Sequence, residues 1–422
     1  MKNFFVLFFG LWITVEFFFA PKIEAEIKDD YTLEKVLVYS RHNIRSPLNT
    51  APGSTLFEIT PHSWFKWTDK SGELSSRGGE LETLLGQYFR KWLESEKLIP
   101  ENYIPKDGET RFYANSVQRT RATTRYFSAG MLPVANTEVE WHIVPPHEQD
   151  PVFVFDLRPF PKTNSFKAKV AKELQRLGGQ EGLSRSVYKE VSLIEKVLDF
   201  KNSPYAKKNK IQSFHKKGEA DFTVSVGEDL HLGGAIRPAM SAADALILQY
   251  YEEPDPVKAA FGHDLSYEEW KGLGRLHSLG LYTIFHMPSI SSGAIKPMLK
   301  TIHEELLLPK RKFTFLCGHD IAIVAALSAL GVEDYELPES IEPLTPVGVK
   351  FIIEKRRGKD NKEYAALKLM YLSTGQIRNR EILSLKNPPK TISLKLKGLK
   401  ANKDGLYLFD DITERLSSIA KQ

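Results

Sequence analysis

Cysteine is almost missing from this chain of 422 residues. Cys317 is the only one, so no disulfide can form within a molecule. A chain this long buries a large core and needs no such staple. Cys317 ends an apolar run and is expected to be a buried small residue, not a catalyst. Charge of one sign is also lacking. With 58 basic and 53 acidic residues the net charge is +5, which suits an anionic substrate but makes no case for nucleic acid. Past the first 25 residues no segment approaches the ~18 consecutive apolar residues of a membrane helix. There is no P-loop, no dinucleotide fingerprint and no G-x-S-x-G. His303-Glu304-Glu305 lacks the second histidine of a zinc helix, because position 307 is Leu. No metal and no cofactor are therefore expected. Internal repeats and low-complexity segments are absent.

The N-terminus, by contrast, is strongly patterned. Lys2 precedes an apolar stretch from Phe4 to Val15, extended by Phe17-Phe18-Phe19-Ala20, and Ile23-Glu24-Ala25 offers a cleavage site. Residues 1–25 read as a secretory signal peptide, with Glu16 breaking the run too early for a lasting anchor. The mature protein is expected to be exported, and a single cysteine suits a bacterial periplasm.

Along the mature chain, short β-prone runs alternate with helical ones. Val36-Leu37-Val38-Tyr39, Thr110 to Ala114, Glu138 to Val144 and Lys312 to Cys317 read as strands. Helices are expected after Leu74-Ser75-Ser76, from about Gln118 to Met131, over Tyr267 to Phe285, over Pro297 to Leu308 and over Ile321 to Leu330. Val347 to Glu354 and Tyr364 to Leu372 read as a hairpin. The pattern predicts an α/β fold with a mostly parallel central sheet flanked by helices. Between 151 and 256 the strands thin out, and an inserted, mainly helical subdomain is expected there. The α/β domain would then be discontinuous, 26–150 with 257–422. The six lysines between Lys201 and Lys217 read as a solvated loop.

Three strand ends carry chemistry. The first closes on Arg41-His42-Asn43-Ile44-Arg45, the second runs into Asn115-Ser116-Val117-Gln118-Arg119-Thr120, and the last ends in Gly318-His319-Asp320. In an open parallel sheet the carboxyl ends of strands converge on one edge. A histidine among cations is held neutral and can attack. Guanidiniums bind a multiply charged oxyanion. Together the segments meet the needs of phosphate monoester hydrolysis without metal. His42 is the nucleophile that takes the phosphoryl group. Arg41, Arg45, Arg119 and His319 hold its oxygens, and Asp320 protonates the leaving alcohol and then helps activate water. An acidic pH optimum follows. Gly262-His263-Asp264 repeats the tripeptide but follows no β-run, and Ser266 with Glu269 reads as a capping box, so it marks a helix entrance. Arg121 and Arg125 are read as facing solvent or a neighbouring carboxylate.

These residues resemble the histidine acid phosphatases, the exported branch of the histidine phosphatase superfamily. The family signature R-H-G-x-R-x-P stands here as Arg41-His42-Asn43-Ile44-Arg45-Ser46-Pro47, and its His-Asp pair as His319-Asp320. Leu74-Ser75-Ser76-Arg77-Gly78-Gly79 and Thr345-Pro346-Val347-Gly348 extend the likeness over nearly all of the mature chain. Asn43 in place of Gly, the phrase Tyr113-Ala114-Asn115-Ser116 and Leu248-Gln249-Tyr250-Tyr251-Glu252 are similar to periplasmic glucose-1-phosphatases. That resemblance implies a glutamate of the helical domain restricting the active-site mouth, with Glu252 the matching candidate; a plain helix-end carboxylate is the other reading. The cysteines usual in that subgroup are absent, and Ile321 stands where a small polar residue is commoner, but no catalytic group is lost.

The expectation is an exported phosphomonoesterase working through phosphohistidine. Glucose 1-phosphate and related sugar phosphates are the favoured substrates. The alternatives are a phytase or broad acid phosphatase and, from another class, a phosphate-binding protein without turnover. Export and Asp320 set it apart from mutase-like phosphoryl transfer. The partner is a small phosphate ester, with no nucleic acid and no stable membrane anchor after signal cleavage. A homodimer is plausible for such a subgroup, though no exposed pattern specifies one.

Overall fold

The computed structural model describes residues 30–51, 53–145, 150–153, 163–215, 223–226 and 230–421, with the backbone alone for 223–226 and 230–232. The expected signal peptide lies outside the described residues, as do Lys216 and Lys217. The strands are β1 (Tyr31–Arg41), β2 (Thr110–Ala114), β3 (Thr223–Val226), β4 (Leu230–Gly233), β5 (Phe313–Gly318), β6 (Lys350–Gly358), β7 (Glu363–Tyr371), β8 (Lys390–Ser393) and β9 (Tyr407–Leu408). The main sheet runs β2-β5-β1-β6-β7-β8, with β9 also on β7, while β3 and β4 form a separate hairpin.

The expected α/β architecture is present, but "mostly parallel" describes only one side of the sheet. β2, β5 and β1 are parallel. From β6 onward every pairing is antiparallel. The reason is local. β6 and β7 are joined by a tight turn, which can only give an antiparallel pair, whereas β2, β5 and β1 are separated by helical crossovers. The expected strand at Glu138–Val144 reduces to a single bridge, Tyr113 to Glu140. Alternation marks a strand when one face is buried, and here Trp141 and Ile143 stay 41% and 57% exposed.

β1 shows why its sequence is continuously apolar. Val36 and Val38 point into one core and Leu37 and Tyr39 into the other, so both faces are covered. β5 divides likewise, with Phe313, Phe315 and Cys317 on the first side and Leu316 on the second. The helices Ser76–Ser95 and Gln118–Met131 cover the first face, and Lys296–Leu307, Asp320–Leu330 and Phe409–Lys421 the second. Arg237–Glu252 and Tyr267–Phe285 pack on each other in the helical layer over the site. Ser266 and Glu269 make the expected capping box. The segment between β1 and the 76–95 helix contains a short helix, Thr55–Glu58. The lysine-rich stretch carries another, Pro204–Asn209, and its Lys201, Lys207, Lys208 and Lys210 are exposed.

The 76–95 and 118–131 helices approach through a reciprocal pair of glycines. A Cβ on Gly86 would lie 2.2 Å from the carbonyl oxygen of Phe127, and one on Gly130 would lie 2.2 Å from that of Thr83. A methyl group there must push two helix backbones apart. Alanine ordinarily gains about 1 kcal/mol over glycine inside a helix; overpacking costs about 1–3 kcal/mol. Gly86→Ala and Gly130→Ala are therefore each expected to lower stability by about 1 kcal/mol in urea unfolding. A raised midpoint would show that the helices are not in this close contact.

Candidate active site

Register brings the three strand ends level. Arg41 of β1 lies opposite Gly318 of β5, and Ala114 of β2 opposite Cys317. One residue further on, each strand has released its site segment at the same edge. The 118–131 and 320–330 helices start there, so their N-terminal partial positive charges face an incoming anion.

His42 is 3% exposed. Its backbone N–H donates to Gly318 O at 3.1 Å, which anchors β1 to β5 beneath the imidazole. The ring Nδ1 lies 2.8 Å from the carbonyl oxygen of Asn43. A carbonyl only accepts, so Nδ1 carries the hydrogen and Nε2 keeps its lone pair. The His319 ring stands edge-on to it, centroids 5.5 Å apart. Burial lowers the His42 pKa well below 6.5, and Arg119, His319, Arg41 and Arg45 lower it further. Burial and Arg119 likewise pull His319 down to about 3. Both imidazoles stay neutral in mild acid.

Arg41 is buried and fixed on two sides. Its Nη1 meets Glu342 Oε1 at 2.7 Å and the Thr345 carbonyl, and its Nη2 meets Asp320 Oδ2 at 3.2 Å. Burial would lower its pKa, but Asp320 and Glu342 outweigh burial and raise it. Arg45 Nη2 meets Asp244 Oδ2 at 2.9 Å. Arg119 reaches the Gly72 carbonyl at 3.3 Å through Nη1. Burial, and then Arg45, lower its pKa to about 10, so it remains a cation. The Nε groups of Arg41 and Arg119 are buried without an acceptor among the described residues. Buried donors of that kind call for an anion. Asp320, first residue of its helix, would be raised by burial; Arg41, His277 and His319 override that and hold it down at about 2.

The structure thus brings together His42, Arg41, Arg45, Arg119, His319 and Asp320. It does not bring Glu252 to them. Glu252 ends the 237–252 helix, and its carboxylate accepts from Ser75 Oγ at 2.6 Å and Arg77 Nε at 3.2 Å. It ties that helix end to the start of the 76–95 helix. The acid that does reach the site from this helix is Asp244, eight residues earlier and so about 12 Å along the axis. Its Oδ1 lies 3.7 Å from His277 Nε2 of the 267–285 helix. Asp244, His277 and Glu342 were not singled out from the sequence. A signal existed for Asp244: it is the lone carboxylate in the apolar stretch Ala242–Leu248, where an unpaired charge does not sit. Arg125 is exposed, and Arg121 stacks 4.4 Å over the Trp141 ring, so neither joins the site. Cys317 is buried, and burial pushes its thiol up to about 12.

The neutral histidines make stability depend on pH. The unfolded chain takes a proton on His319 below about pH 6.5 and the folded one only near 3, so stability falls as pH drops through that window. The loss is about 3 kcal/mol at pH 4. His319→Gln is expected to lose less thermal stability than wild type between pH 7 and pH 4. Equal losses would contradict a buried neutral imidazole.

Comparison with known proteins points the same way. The profile of the histidine phosphatase superfamily (branch 2) matches residues 32–189. The chain is 32% identical to a glucose-1-phosphatase of Providencia rettgeri over 93% of both chains. It is 30% identical to a glucose-1-phosphatase of Salmonella typhimurium over 93% of this chain and 94% of that one. The solved structure of the phytase from Citrobacter braakii matches with a TM-score of 0.81 at 26% identity, covering 92% of this chain and 98% of the phytase. With an arginine-rich oxyanion pocket around a neutral histidine and relatives of this extent, the chain belongs to branch 2 of the histidine phosphatase superfamily and is a histidine acid phosphatase, a hydrolase of phosphate monoesters.

Proposed function

We propose that this phosphatase acts on sugar monophosphates, glucose 1-phosphate first, by transferring the phosphoryl group to His42. The observation that carries the proposal is the hydrogen bond from His42 Nδ1 to the Asn43 carbonyl, which leaves Nε2 as the free base of a neutral ring. Arg41, Arg45, Arg119 and His319 hold the three non-bridging oxygens. Nε2 forms a bond to phosphorus while the bond to the leaving oxygen breaks. Asp320 gives that oxygen a proton, then takes one from the water that attacks the phosphohistidine and releases phosphate. No metal takes part in this scheme. The sugar-phosphate preference rests on the two glucose-1-phosphatase relatives. Export to a periplasm, and a helical insert at 151–256 in a discontinuous α/β domain, belong to the same reading.

Asp320 must be protonated to act first as an acid, yet the free site holds it ionised, with Arg41 the largest cause against burial. An arriving phosphate competes for the Arg41 guanidinium and adds negative charge beside the carboxylate. Both effects raise the Asp320 pKa in the complex. Turnover should therefore be greatest in acid and decline as the bound complex loses that proton.

A second reading, phytase activity, is favoured by the cleft beside Arg45. Its volume is about 1060 Å³, and its walls include Asn49, Arg237, Ser241, Asp244 and His277. That is ample for a ligand larger than a hexose phosphate.

Phosphate release from glucose 1-phosphate and from phytate, at pH 4 to 7 with chelator present, separates the readings. Turnover of the sugar phosphate alone is expected, with His42→Ala reducing kcat by about a thousandfold or more. Turnover of both substrates would move the assignment to phytase. No turnover of either, nor of an aryl phosphate, would leave a binding role in its place. Asp320→Asn should lose far more activity with an alkyl phosphate than with p-nitrophenyl phosphate, whose leaving group needs little proton; equal losses would remove Asp320 as the acid.

A further inference from the structure

Beneath the catalytic loop lies an ion pair that the reaction scheme does not use. Glu82 of the 76–95 helix and Lys350 of β6 are both fully buried, with Nζ 3.1 Å from Oε2. Lys350 Nζ also donates to Ser40 Oγ at 3.0 Å and to the Gly348 carbonyl at 3.1 Å. Replacing a buried ion pair by apolar side chains is often neutral or stabilising, so stability alone is a weak reason for this one.

We propose that the Glu82–Lys350 pair positions the nucleophile, acting through the side chain of Asn43. This rests on the reading of His42 as the attacking group. Asn43 stands where the family signature has glycine, and all of its polar groups are engaged. Its Nδ2 donates to Glu82 Oε1 at 2.8 Å, and its Oδ1 accepts from Ile44 N–H at 2.8 Å. Its own N–H donates to Thr123 Oγ1 at 3.2 Å, and its carbonyl accepts from His42 Nδ1.

Donor and acceptor rules leave no choice in this chain of contacts. A carboxylate only accepts, so Glu82 takes the NH2 end of the amide. Oδ1 is thereby turned to Ile44 N–H, a group that only donates. The Asn43–Ile44 peptide is then pinned at its N–H by the Asn43 side chain. The oxygen of that same peptide plane receives His42 Nδ1–H and so sets which ring nitrogen is free. Lys350 maintains the starting condition. A protonated Glu82 would point its hydrogen at Lys350 and Asn43, which offer only donors, so this geometry fits the carboxylate form, and Lys350 and Asn43 oppose the burial that pushes its pKa up. Gly348 supplies the space: its φ is +68°, and a Cβ there would fall 2.5 Å from Asn43 Nδ2 and 3.0 Å from Glu82 Oε1. The Gly348 N–H in turn donates to the His42 carbonyl at 3.1 Å.

The test compares the full-length enzyme with two variants and uses inorganic phosphate as the probe of binding. In Glu82→Leu with Lys350→Met the pair is replaced by apolar groups. In Asn43→Gly the pair stays and the amide is removed. Both are expected to lose at least about tenfold in kcat, because small errors in nucleophile geometry are costly. The inhibition constant of phosphate should stay within about twofold, since the arginines that hold it are untouched. Nitrogen-15 spectra of histidine-labelled protein should show one Nδ1–H tautomer for His42 in wild type and a mixture in the variants, with His42→Ala identifying the signal. Full kcat and an unchanged tautomer in a folded variant would overturn the proposal, as would a loss confined to phosphate affinity. If the double variant does not fold, Asn43→Gly alone decides by the same two readouts. Turnover by His42→Ala would instead overturn the reading on which the proposal rests.

Discussion

A neutral imidazole held among three guanidiniums is the arrangement on which this site depends. In water, three arginines would not gather around a histidine without counterions. Here Arg41 is balanced by Glu342 and Asp320, and Arg45 by Asp244. Arg119 hydrogen-bonds only a carbonyl among the described residues. The cations are thus held in place before substrate arrives, and two buried guanidinium nitrogens lack an acceptor among the described residues. Such preorganisation matters because oriented charge in a dry site stabilises a transferring phosphoryl group without reorganising at the moment of reaction. The same field keeps His42 unprotonated in acid, the range in which the proposed scheme needs Asp320 protonated. The same cations hold Asp320 ionised in the free site, so in the proposed scheme its proton comes with the bound phosphate.

The fold delivers this arrangement through strand register. β1, β5 and β2 end level, so the residues that follow them meet without any long loop reaching across. The antiparallel side of the sheet contributes from below, through Lys350 at the start of β6. The helical layer closes the site from above with Asp244 and His277. Glu342 sits in the segment leading to β6, where it accepts from Arg41, Tyr251 and the Val347 N–H. Each arginine is consequently braced by a different part of the chain, and the pocket exists only when sheet and helical layer are packed together.

Much of this could be read from the sequence, for physical reasons. β1 and β5 are buried on both faces, so their apolar runs are unmistakable and chemistry placed just beyond them stands out. The 118–131 and 267–285 helices were legible from periodicity and, for the second, from the Ser266–Glu269 box. What was not legible depended on long-range pairing. The antiparallel half of the sheet follows from which partner β6 finds, not from its own composition. Glu138–Val144 alternates like a strand but has no buried face. Glu252 fits the motif, yet helix geometry turns it toward Arg77 and presents Asp244 to Arg45. Asn43 was noticed as a departure; that its partner is Glu82, itself paired with Lys350, comes only from the tertiary fold, 39 and 307 residues away along the chain.

The central claim is that His42 carries the phosphoryl group between the two half-reactions. Rapid quenching with a phosphorus-32-labelled monoester tests it most directly, followed by peptide mapping under conditions that preserve phosphoramidates. The account predicts an acid-labile, base-stable label on the peptide containing His42, formed and lost at rates compatible with turnover. Label on another residue, or full turnover with no labelled enzyme at any time, would contradict it.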